Sequence, residues 1–123
     1  MKKLIFILLA VTLFATILAG CAPSARLNSS NIRTARVMVS AVDDYLDGRI
    51  TASAARDIFD REIYAIDEND ADSTALLSFS ISASSIRHNF ARAAFGDVVD
   101  ADLILENRNR IAELAGLDTR RSV

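Results

Sequence analysis

Residues 73–96, STALLSFSISASSIRHNFARAAFG, decide the fold. Two periodicities overlap in them. Leu77, Phe79, Ile81 and Ala83 alternate with Ser78, Ser80, Ser82 and Ser84, the pattern of a half-buried strand. Leu76, Phe79, Ala83, Ile86, Phe90 and Ala93 recur at spacings of three and four over a longer window, the pattern of one helix face. Length favours the helix, because the second pattern persists over five turns while the first ends after eight residues. No charged residue occurs from Ser73 to Ile86, which predicts the most central helix of the fold. Its serines can return their hydroxyls to backbone carbonyls and let neighbouring helices come close.

Working outward, the same helical spacing appears three more times. Ser29, Ser30 and Asn31 are suitable N-caps for a helix over about 31–47, whose stripe is Ile32, Ala35, Val39, Val42 and Leu46, widened by Met38 and Tyr45. Gly48 suits the position after its end. Thr51 is the expected cap of a helix over about 52–66 that buries Ala55, Phe59, Ile63 and Ile66, with Ile50 stapled onto Ala55. Gly96 and Asp97 can close the third helix and cap a fourth over about 98–115, in which Asp100 acts as the acid of a capping box. That helix packs Ala101, Ile104, Leu105, Ile111, Ala112 and Ala115, and Glu106 and Arg110 make a favourable i,i+4 pair. Arg108 interrupts the stripe and is expected to snorkel from the rim, a buried pairing with a carboxylate being the alternative.

Four amphipathic helices with short connections describe an all-α fold, a small antiparallel four-helix bundle over residues 29–117. A three-helix arrangement follows if Gly96 is accommodated inside one long helix. Seventeen alanines beyond Cys21 make the core thin, so an oligomer or partner would add useful buried surface. Residues 118–123 are expected to fray.

The amino terminus carries an address. Met1-Lys2-Lys3 precedes sixteen uncharged, mainly aliphatic residues, Leu4 to Ala19, in the order of an export signal. Sixteen helical residues reach about 24 Å, short of the roughly 30 Å hydrocarbon core. Extending the count to Ala25 makes a permanent span arithmetically open, so hydropathy alone does not decide. The residues that follow do: Leu18-Ala19-Gly20-Cys21 resembles the lipobox of bacterial lipoproteins. The resemblance implies a signal peptide over 1–20, cut before Cys21, and Cys21 as the lipid attachment residue, carrying a diacylglycerol and acyl chains such as palmitate. Two acyl chains at about 0.8 kcal/mol per methylene make such anchoring effectively permanent. Ala22 rather than Asp after the cysteine implies passage to the outer membrane in a diderm bacterium; in a monoderm the anchor stays in the outer leaflet of the plasma membrane. Residues 22–28 then read as a tether of at most about 3.5 Å per residue, holding the domain within roughly 25 Å of the lipid. Arg26, Arg33 and Arg36, which have no acidic neighbour between residues 22 and 42, are placed to face anionic headgroups.

Composition limits the chemistry. Beyond the signal segment, 12 arginines stand against 16 carboxylates, a net charge near −4, which argues against a nucleic-acid partner. One Cys and one His leave little for a metal cage or a disulfide framework. The acidic run Asp67 to Asp72 has Asp72 where a calcium loop needs glycine and Ser78 where it needs a bidentate Glu, so it reads as a solvated connector. Asp43, Asp44 and Asp47, like Asp57 and Asp60, sit on polar faces and read as solubility. Ser84 lies one turn before His88, and the two can be drawn as a nucleophile and base, but no orienting acid or oxyanion donor is marked. No catalytic, cofactor or metal residues are assigned. The expectation is a non-enzymatic, membrane-anchored lipoprotein of the cell envelope that binds another envelope protein or itself; a bundle binding lipid or a small apolar ligand is the alternative, and a minor hydrolase using Ser84 and His88 the third reading.

Overall fold

The computed structural model describes residues 24–117 and Arg121. Residues 1–20, expected to be a signal peptide, and Cys21, the expected lipid attachment residue, lie outside the described residues. Four helices follow in order: α1 (Ser29–Leu46), α2 (Ala52–Tyr64), α3 (Ser73–Ala94) and α4 (Ala101–Leu114). No strand occurs among the described residues, so the 3.6-residue period in 73–96 prevails over the alternation.

Each helix starts where a side-chain oxygen can take an orphan N–H. Thr51 caps α2 as expected, accepting from the Ala54 N–H. The caps of α1 and α4 differ from the sequence reading. Asn28, not Ser29, Ser30 or Asn31, caps α1 by accepting from the Asn31 N–H. Asp72 caps α3 through the Ala75 N–H, and Asp100 is itself the cap of α4 rather than the acid of a box. The fourth helix therefore begins at Ala101, and Val98 before it is 92% exposed. Gly96 takes φ +86°, a conformation that ends α3 and excludes one long helix, so the three-helix variant is not adopted.

The helices pack as a ring in which α1 touches α2, α2 touches α3, α3 touches α4 and α4 touches α1. Neighbours run antiparallel, joined by short connections. The interior is filled by Met38, Val42, Phe59, Phe79, Ile86, Phe90, Ile104 and Ile111, with Ala35, Ala55, Ala75 and Ala83 where helices come closest. Phe90 packs edge-on to Tyr45 at 4.9 Å and to Phe59 at 5.4 Å between ring centroids. Among the described residues, the buried core runs from Leu27 to Ala115.

The helix without charge from Ser73 to Ile86 is, as expected, the one most extensively packed on its neighbours, yet it keeps an exposed face. Leu77 and Ile81 on α3 are 61% and 59% exposed. A helix with two neighbours in a ring keeps an outward face, and here that face is apolar. Ala101, expected in the stripe of α4, is also exposed.

Candidate functional site

The segment expected to be a loose tether is fastened to one end of the bundle. From Ser24 to Asn28 the chain lies against the end of α4 and the loop between α2 and α3. The N–H groups of Arg26 and Leu27 donate to the Leu114 carbonyl at 2.9 and 3.3 Å, and the Leu27 side chain is buried. Gly116 permits the approach, since a Cβ there would lie 2.8 Å from the Ala25 nitrogen. Of the residues 22–28 read as a tether, the described stretch from Ala25 to Asn28 is therefore held against the bundle.

Asp67 to Asp72 holds that segment, which corrects the reading of this run as a merely solvated connector. Asp70 is buried and accepts from the Asn28 N–H at 2.8 Å and from the Asn31 side-chain amide at 2.9 Å. Asn31, fully buried, also accepts from the Asp67 N–H at 2.8 Å and donates to the Asp67 carbonyl at 3.0 Å. The Asn28 amide donates to the Asp67 carboxylate at 2.8 Å. Arg26, expected at a lipid surface, pairs with Asp72 at 3.2 Å instead. Burial alone would push the Asp70 carboxyl up, but donors from Asn28, Asn31 and Asp72 together hold it below the usual carboxylate range. Asp72 is held low by the Ala75 N–H that it caps and then by Arg26.

A second polar cluster crosses from α1 to α4. Arg108 is 2% exposed and does not snorkel: its Nε and Nη2 donate to the two Asp43 oxygens at 3.1 and 2.9 Å, and Nη1 donates to Asn109 at 2.9 Å. Asp43 is therefore a structural partner and not a solubility residue. The sequence did carry a signal for this pairing, because Asp43 interrupts the stripe of α1, four residues after Val39, as Arg108 interrupts that of α4. Of the tail 118–123, Arg121 alone is described, and it docks: it bonds Asn109 through its backbone, and its guanidinium meets Asp43 and Asp47. The hydrogen bond from Arg121 keeps Asp47 below its ordinary pKa.

Ser84 and His88 both lie exposed on α3, along a cleft of about 470 Å³ shared with Asp60, Tyr64 and Arg87. No hydrogen bond joins them, and the one nearby acid, Asp60, is taken by Arg87. Among the described residues no cluster of three or more His, Cys, Asp or Glu side chains is arranged to hold a metal ion.

The outward apolar face of α3 borders a groove of about 380 Å³ against α4, lined by Leu77, Ser78, Ile81, Glu106, Asn107 and Arg110. Leu103, 40% exposed, also projects from α4. Glu106 and Arg110 do not form the expected i,i+4 pair; each flanks the groove without an ion-pair partner among the described residues. No described helix is long and apolar enough to cross a membrane. Compared with models of protein families, with curated proteins and with solved structures, the chain finds no match.

Proposed function

We infer that this chain is a lipid-anchored, non-catalytic module of a bacterial envelope, attached through Cys21, whose helical domain docks a protein at the α3–α4 groove. The observation that carries the reading is the exposure of Leu77 and Ile81, one turn apart in that groove, since apolar side chains left outward on a small domain mark a contact site. Self-association is the form the groove favours. Glu106 and Arg110 lie one turn apart with opposite charge, so two copies related by a two-fold axis can exchange the pair across an isologous interface. The lipobox supports the anchorage, and the short reach from residue 21 to the docked segment would keep the domain at the lipid surface.

Two measurements test it. The intact mass of the mature protein purified from cells should correspond to a chain starting at acylated Cys21, and Cys21→Ser should release it from membranes; a bare thiol overturns the anchorage. Sedimentation should show a concentration-dependent dimer that Leu77→Glu with Ile81→Glu abolishes while helical content is kept. A monomer at all concentrations, or lipid co-purified in the groove, would favour a ligand-binding role instead.

A further inference from the structure

Most described arginines have a carboxylate within 4 Å, but among the described residues Arg33, Arg36 and Arg110 have none. Two of these three lie a turn apart on the exposed side of α1. Arg36 shares with Arg61 of α2 a cleft of about 330 Å³ floored by Val37 and Ile58. The carboxylate in that cleft, Asp44, is already bound by Arg49 at 2.8 Å, and Glu62 lies 3.4 Å from the outward Arg61 guanidinium. The α1–α2 side is thus an apolar strip edged by two uncompensated positive charges, on a chain that is acidic elsewhere.

We propose that the α1–α2 face rests on an anionic lipid surface, with Arg33, Arg36 and Arg61 at the headgroups and Val37 and Ile58 toward the acyl boundary. Guanidinium forks match phosphate oxygens, and their methylene stems lie along apolar surface. The position of these residues fits: at 1.5 Å per residue, Arg33 and Arg36 stand about 6 and 10 Å along α1 from its start, at the end where the chain from residue 21 arrives. That end itself presents Asp67 and Glu68, while Asp72 is offset by Arg26, so a bundle standing upright would press two carboxylates onto anionic headgroups. Lying on α1 and α2 replaces that repulsion with attraction within a Debye length of roughly 8 Å. Because the helices form a ring, the α3–α4 groove then faces away from the lipid and stays open to a partner. The orientation of the anchored protein rests on the anchoring proposed above; the lipid affinity of the face does not.

The experiment uses the chain from Ala22 onward, which keeps every described residue and has no cysteine, its helical content checked first. A fluorophore at Ser40→Cys, on the α1–α2 face, is compared with one at Ser78→Cys, in the α3–α4 groove. Vesicles of phosphatidylcholine with and without phosphatidylglycerol carry a nitroxide-lipid quencher. Quenching is expected at position 40 in anionic vesicles alone, with little at 78. Arg33→Gln with Arg36→Gln, checked for an unchanged melting curve, should lower partition roughly thirtyfold at about 1 kcal/mol per arginine. Equal quenching at both sites, equal binding to uncharged vesicles, or unchanged partition of the double variant overturns the proposal, as does binding of an acidic polypeptide with no affinity for lipid. These outcomes need no acyl group, so they are separable from the mass measurement that decides the anchorage.

Discussion

Replacing Asn31 by Ala tests whether a buried polar clamp holds the amino-terminal segment to the bundle. The substitution leaves the Asn31 backbone N–H on Asn28, so the cap of α1 survives. It deletes three side-chain bonds: one from the Asp67 N–H at 2.8 Å, one to the Asp67 carbonyl at 3.0 Å and one to the Asp70 carboxylate at 2.9 Å. At about 1 kcal/mol for each neutral bond and roughly 2 for the charge-assisted one, the loss is about 4 kcal/mol. Alanine's better helix propensity returns a few tenths. Against a total of about 5–15 kcal/mol for a small domain this is a large fraction, equivalent to a fall in Tm of roughly 15–25 °C. Urea denaturation gives the magnitude, and hydrogen exchange locates it: the amides of Arg26, Leu27 and Asn28 should lose protection before the core of α3 does. A loss below about 1 kcal/mol, or unchanged protection at those amides, would refute the clamp.

Gly116→Ala should cost more than Gly48→Ala although both glycines have positive φ, because the first adds a Cβ 2.8 Å from the Ala25 nitrogen and the second meets nothing within 4 Å. About 1 kcal/mol is expected at Gly48, and roughly twice that at Gly116 with faster proteolysis after Arg26. Asp43→Ala removes the carboxylate that receives two bonds from buried Arg108 and should cost about 3 kcal/mol, whereas Arg121→Ala, at the solvent edge, should cost about 1 or less by the same denaturation curves. Asp47, Asp70 and Asp72 all have folded pKa values below their unfolded ones, so their contribution is present above the unfolded carboxylate range and is lost as pH falls through it toward the folded values. Stability measured between pH 5 and 2 should therefore drop, and Asp70→Asn should make that acid limb shallower; an unchanged limb would remove Asp70 from the account.

The chain's periodicity determined that there are four helices and approximately where they lie, because each buries one face and the apolar spacing records it. Thr51 and Gly48 were legible for the same local reason, since a cap or a stop needs only neighbouring backbone. The partners of Asp70 and Arg26 were not legible, since Asn28, Asn31 and Asp72 lie about forty residues away and a charged residue looks the same in sequence whether it faces water or a buried donor; Asp43 and Arg108 showed only as breaks in two apolar stripes, without saying that one meets the other. The ring of helices made those choices. It brought Asn28 and Asn31 to the loop at Asp67 and Asp70, seated Arg108 on Asp43, and left Leu77 and Ile81 outward because a helix with two neighbours has a third side with nothing packed on it. Sequence determines which surfaces are apolar or charged; which of them meet, and which remain open to lipid or to another copy, follows only from how the helices close around one core.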